Sequence, residues 1–330
     1  MQIHLTNACN KNCFHCYNRF KPNTSNLDPD ILIRVIPWFI EYFKKKSNIL
    51  LPIIYSGGDP ILYPHLERLL RTFSNHPQMI MLNSESVTDE WINILKKNNI
   101  IKVQFSIDGL EKTHDNIRGK GDFSRTLICI ERFLTLDVPV NIMFTLSKIN
   151  SSDLIPLLIY LSKRFKTSAP TFAFARIVPM NKSESNIMIE KYEFIDLCHQ
   201  FISLKLEFLK NKNRIILKLK DSMLAHMWNS LFPGNRVKNS CCLLGKTIGI
   251  MSDGGVTPCI RTGISMFNIK DIKSLKDLSK LMQRHFTPFV DRSKFAAILE
   301  NKCIGCPAIS QAYFGDYRML DPQLYPKEIR

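Results

Sequence analysis

Short β-type runs alternate with helical segments through the first half of this chain, and no other feature limits its possible folds as strongly. The runs are Ile3 to Thr6, Pro52 to Ser56, Met79 to Asn83, Ile101 to Ile107, Val138 to Leu146 and Thr171 to Val178. Strands joined by helical crossovers pair in parallel, so the rhythm implies an α/β fold with a parallel sheet. Asp28-Pro29 forms a cap and first-turn pair for the first helix, and Pro37 predicts that this helix is kinked or split in two. Leu66, Leu69, Leu70 and Phe73 share one face of the next. Asp122 is expected to cap a helix that buries Leu127, Ile130 and Leu134, and Ser151, Ser152 and Asp153 open another. Six βα units are too few for a complete eight-stranded barrel, which takes about 250 residues. An open partial barrel or a doubly wound sheet remains, and both place ligands beyond the C-terminal ends of the strands. The loops that follow the strands are therefore where chemistry is expected.

Ser185 to Asn211 reads as one amphipathic helix with Ile195, Cys198, Ile202, Leu206 and Leu209 on a stripe. Arg214 to Leu219 alternates like a strand, after which the βα rhythm stops. A boundary near Asn211 to Leu231 gives domains of 1–211 and 212–330. The 330 residues, 45% of them hydrophobic, exclude collagen-like and disordered classes. No run approaches the ~18 apolar residues that span a bilayer, and no signal peptide precedes the first strand, so a cytoplasmic location without a membrane partner is expected.

The chain has 10 cysteines. Disulfides seldom persist in the cytoplasm, so these point to metal or redox chemistry. They cluster: Cys9, Cys13 and Cys16 near one end, and Cys241, Cys242, Cys259, Cys303 and Cys306 near the other. Cys129 and Cys198 stand apart and are read as core residues. The formal charge of +16 favours an acidic partner. No aromatic-interleaved basic stripe accompanies it, so nucleic acid is not an expected partner.

The loop after the first strand reads Cys9-Asn-Lys-Asn-Cys13-Phe-His-Cys16-Tyr17, a C-x3-C-x2-C spacing. Three thiolates hold three corners of an iron–sulfur cubane and leave the fourth iron open to a substrate or cofactor. A zinc site completed by His15 is the structural alternative. Tyr55-Ser-Gly57-Gly58-Asp59-Pro60 follows the second strand, and Ser106-Ile-Asp108-Gly109 with His114-Asp115 and Arg118 follows the fourth. Together these segments resemble the radical S-adenosylmethionine (SAM) enzymes. The resemblance implies a partial (β/α)6 TIM-like barrel. It implies a [4Fe-4S] cluster on Cys9, Cys13 and Cys16 that binds SAM at its open iron, and SAM contacts from Gly57, Gly58, Asp59, Ser106, Asp108 and Arg118. Asp59 stands where the family usually has Glu, which leaves the backbone of the Gly57-Gly58 turn as the safer contact.

Cys242, Cys259, Cys303 and Cys306 form a second constellation, with Asp253-Gly254-Gly255 as a hairpin turn before Cys259. It resembles the first half of the SPASM domain. Because no cysteine follows Cys306, it is similar to the shortened twitch version, which implies one auxiliary [4Fe-4S] cluster; a zinc ribbon is the alternative. Cys241 is either a spare buried thiol or a hydrogen-atom donor of the kind some family epimerases use.

The implied activity is reductive cleavage of SAM and hydrogen abstraction from an unactivated carbon. The leading substrate is a ribosomally made precursor peptide, crosslinked or epimerised. Expected partners are that peptide and a flavodoxin- or ferredoxin-type electron donor; because the chain starts at its first strand, leader binding is expected to use either the body of the enzyme or a separate leader-binding protein. A twitch-type small-molecule dehydrogenase, an RNA-modifying radical enzyme and a non-catalytic metal-binding module are the other readings.

Overall fold

In a computed structural model of the chain, residues 1–18, 25–48, 50–179, 186–237, 248–286, 305–317, 319 and 321–324 are described. The chain divides into two compact units. One comprises Met1–Lys11, Asn18–Gln104 and Cys242–Arg292, and the other Asn12–Tyr17, Phe105–Cys241 and Ser293–Arg330. The expected cut at residue 211 follows the end of the βα rhythm, whereas these units are defined by packing.

In the first unit β1 (Gln2–His4), β2 (Ile53–Ser56) and β3 (Gln78–Met81) pair in parallel, and β3 pairs with β4 (Ile100–Ser106), whose last two residues belong to the second unit. Their buried side chains, among them Ile3, Ile53, Tyr55, Ile80 and Val103, are β-branched or aromatic, as strands with both faces covered require. The other edge of β1 takes β8 (Gly249–Ile250) in parallel, followed by β9 (Gly255–Thr257) and β10 (Phe267–Asn268) in antiparallel pairing. This extension was not expected from the sequence. The hairpin turn at Asp253 was: Asp253 Oδ1 accepts from Gly255 N–H.

Helix α1 (Pro29–Ser47) starts as expected, with Asp28 Oδ1 accepting from the N–H groups of Asp30 and Ile31. It runs as one helix through Pro37 and is not two pieces. Pro37 is exposed, and its ring nitrogen has no N–H to give the helix. Helix α2 (Leu66–Thr72) buries Leu66, Leu69 and Leu70, with Phe73 buried just beyond it. Helix α3 (Asp89–Lys97) is capped by Thr88, whose Oγ1 accepts from Trp91 N–H.

In the second unit β5 (Val140–Leu146), β6 (Thr171–Arg176) and β7 (Ile216–Leu217) pair in parallel. Helix α4 (Glu111–Arg118) follows β4, and α5 (Asp122–Thr135) precedes β5. Asp122 is not the cap expected of it. Gly121 occupies that position, and Asp122 is buried against His114. After the short turn at 151–153 comes α6 (Leu154–Arg164), and α7 (Lys191–Lys210) buries Phe194, Leu197, Cys198, Phe201 and Ile202. The expected stripe is corrected at its end, because Leu206 and Leu209 are exposed. Helix α8 (Ser222–Leu231) follows β7, α9 (Leu275–Leu281) packs on α1 in the first unit, and α10 (Pro307–Phe314) begins after Cys306. Among the described residues no helix is long and apolar enough to cross a membrane.

Candidate active site

In the first unit the loop that leads from β1 to Cys9 lies directly on the Gly57-Gly58 turn. Gly58 N–H donates to Thr6 O (2.8 Å) and Asp59 N–H to Ala8 O (2.7 Å). A Cβ at position 58 would sit 2.2 Å from Ala8 O, so only glycine lets the two backbones approach this closely. Asn7 Oδ1 faces His4 Nε2 (3.0 Å) and accepts from Ser252 Oγ (2.8 Å), which ties β1, its loop and the strand extension together. Lys11 N–H reaches Cys9 Sγ at 3.4 Å.

Asp59 is fully buried. Its Oδ1 accepts from Ile61 N–H (3.1 Å), capping the short turn Pro60–Leu62, and its Oδ2 accepts from Ser86 Oγ. Burial raises its pKa, against the hydrogen bonds from Ser86 and Ile61. The carboxylate that the motif places at SAM thus braces its own turn.

In the second unit Asp108 is the hub. Its carboxylate, with no exposed surface, takes Thr145 N–H on Oδ1 (2.7 Å), and on Oδ2 it meets His15 Nε2 (2.9 Å) and Arg118 Nε. Burial alone would push this acid upward. The charges of Arg118 and His15, with hydrogen bonds from His15 and Thr145, outweigh burial and hold it well below the usual carboxylate range. Arg118 Nη1 lies 3.9 Å from Cys13 Sγ, a cation placed to favour the thiolate. The backbone is fixed as well: Asp108 N–H donates to His114 Nδ1 (3.0 Å), and Asn150 Nδ2 donates to Asp108 O (2.9 Å). Because His114 Nδ1 accepts, its Nε2 carries the proton and donates to Asp122 Oδ2 at 3.0 Å.

The structure therefore joins Asp108 and Arg118 to the cysteine loop through His15 and Cys13, a link that sequence reasoning missed. With Nε2 facing Asp108, His15 leaves only Nδ1, a buried atom without a hydrogen-bond partner, for the zinc alternative. Ser106 ends β4, half-buried. Cys9 and Cys16 are half-buried and Cys13 is buried. Among the described residues no three His, Cys, Asp or Glu side chains are gathered as a metal site. The thiol donor set and the cation beside Cys13 nonetheless suit a cluster that demands thiolates. Cys259 is buried and Cys306 half-buried. Cys241, Cys242 and Cys303 lie outside the described residues.

Residues 3–161 match the Radical SAM superfamily. The AdoMet-dependent heme synthase of Methanosarcina barkeri is 27% identical, over 96% of this chain and 93% of its own length. The sporulation killing factor maturation protein SkfB of Bacillus subtilis is 28% identical, over 46% of this chain and 36% of SkfB. Among solved structures, anSMEcpe with bound AdoMet and a Cp18Cys peptide matches with a TM-score of 0.74 at 18% identity, covering 98% of this chain and 94% of that one. Streptococcus suis SuiB bound to S-adenosylmethionine matches with a TM-score of 0.71 at 14% identity, covering 97% and 75%. At these identities the structural matches speak for the fold.

Proposed function

Residues 3–161 being a radical SAM domain, we propose that this enzyme abstracts hydrogen from an unactivated carbon of a ribosomally made peptide, crosslinking or epimerising it. The similarity to SkfB, a maturation protein, carries the peptide reading. The [4Fe-4S] cluster and SAM, when bound, supply the one-electron chemistry, and the chain's own residues position and shield it. In this reading Cys9, Cys13 and Cys16 hold that cluster. The Gly57-Gly58 turn and Ser106 contact SAM. Asp59 shapes the turn, and Asp108 with Arg118 acts on the cysteine loop, since their polar atoms are already engaged there. Cys242, Cys259, Cys303 and Cys306 hold an auxiliary cluster, and Cys241 serves either as hydrogen donor or as a spare thiol.

A second reading is favoured by coverage. The similarity to the heme synthase spans nearly the whole of both chains, which supports a small heme-precursor substrate in place of a peptide. One experiment separates the two. The anaerobically reconstituted, reduced enzyme is incubated with SAM and either the short peptides encoded beside its gene or a heme precursor. Products are read by mass spectrometry in deuterated buffer. Loss of two hydrogens from a peptide, or uptake of one deuterium, supports the peptide reading. Turnover of the heme precursor with every peptide unchanged overturns it.

A further inference from the structure

Arg176, the last residue of β6, is a buried cation that the proposed chemistry does not use; its side chain is 1% exposed. Two aspartate side chains meet it. Its Nε donates to Asp221 Oδ2 at 3.0 Å, and its Nη1 lies 2.8 Å from Asp321 Oδ2. Its guanidinium also stacks on Phe194, 4.6 Å from the ring centre, and Nη1 donates to Gln323 Oε1 at 2.9 Å. Gln323 in turn donates to Ile189 O.

The two carboxylates are not equivalent. Asp221 caps α8 through Met223 N–H. Asp321, with no exposed surface, turns instead to Cys306, whose N–H donates to the same Oδ2 at 2.8 Å that meets Arg176. The residue before Cys306 is shaped to this contact. Gly305 has φ +79°, and a Cβ there would lie 2.2 Å from Asp321 Cβ. Cys306 is also the N-cap residue of α10.

We propose that Asp321 is a positioning residue for metal binding: bridging the Arg176 guanidinium and the Cys306 N–H, it sets the Cys306 sulfur as a ligand of the second metal centre. Asp221 anchors the same arginine and has no such role. This rests on the proposed auxiliary site, so the measurements keep the two apart. Iron and zinc per chain in the wild-type enzyme test the site. About eight irons are expected from two cubanes, whereas about four irons with one zinc would replace the auxiliary cluster by a zinc centre. The comparison of Asp321→Ala with Asp221→Ala tests the inference for either metal. Asp321→Ala should lose the second centre, falling to about four irons or losing the zinc, while the SAM-perturbed electron paramagnetic resonance signal of the first cluster persists. Asp221→Ala should keep both centres. Equal losses in the two variants, or full metal in Asp321→Ala, would overturn it. Should Asp321→Ala also lose the first cluster, the isosteric Asp321→Asn is read instead. It should give up the metal of the second centre to a chelator faster than Asp221→Asn does, and equal retention in the two variants would overturn the proposal.

Discussion

At the scale of single residues, the buried carboxylate of Asp108 is held charged by Arg118, His15 and a backbone N–H, so neutralising it leaves a cation stranded. Asp108→Asn keeps the volume and should cost roughly 3–5 kcal/mol, measured by urea denaturation of the apo protein. The depressed acid contributes stability that is complete above its unfolded pKa of ~3.9 and lost as pH falls through its lower folded value. The gap between wild type and Asp108→Asn should accordingly be constant near neutrality and close in acid; a pH-independent gap would contradict the ion-pair account. Cysteines divide in the same terms. Burial, with Asp122 nearby, pushes the Cys129 thiol up to about 11, and Cys198 is wholly buried, whereas Cys9 and Cys16 are half-exposed. Iodoacetamide on the folded apo protein should label Cys9 and Cys16 well before Cys129 and Cys198, as read by peptide mapping. The sequence marked Asp108 and Arg118 but not their link to the cysteine loop. A motif fixes position along the chain, while the partner of Asp108 is His15, 93 residues away.

Among the elements, the strands β1 to β6 were legible because β-branched and aromatic runs between helical segments admit few alternatives. The run Arg214 to Leu219 also marked β7, whereas β8 and β10, two residues each, were not legible, since two residues carry no periodicity and their pairing is dictated by the edge they meet. Helix α1 shows tertiary burial overriding a local signal. Leu32, Val35, Ile36, Phe39 and Phe43 bury one face on either side of Pro37, and that packing holds the helix together across the missing N–H. Pro37→Ala should restore that bond and stabilise the protein by up to ~3 kcal/mol in chemical denaturation, and a destabilised variant would contradict this account. Where the loop from β1 crosses the Gly57-Gly58 turn there is no slack. Gly58→Ala should destabilise by about 1–3 kcal/mol and weaken SAM binding measured by calorimetry, because the added methyl meets a backbone oxygen that cannot move alone.

For the molecule as a whole, the charge of +16 and the cysteine loop make separate demands. Charge acts over a Debye length of roughly 10 Å at 0.1 M salt, so it would recruit acidic partners without choosing the reaction. Binding of a fluorescein-labelled oligoglutamate, followed by anisotropy, should weaken steeply as salt rises, and a flat response would remove charge as a recruiting force. In the proposed reading the reaction itself belongs to Cys9, Cys13 and Cys16. The most direct measurement is formation of 5'-deoxyadenosine from SAM by the anaerobically reconstituted, dithionite-reduced enzyme, beside a variant with Cys9, Cys13 and Cys16 all replaced by Ala. The wild type should form the product, and the triple variant should lose about four irons and all turnover. Product from the triple variant, or none from a fully loaded wild type, would contradict the account.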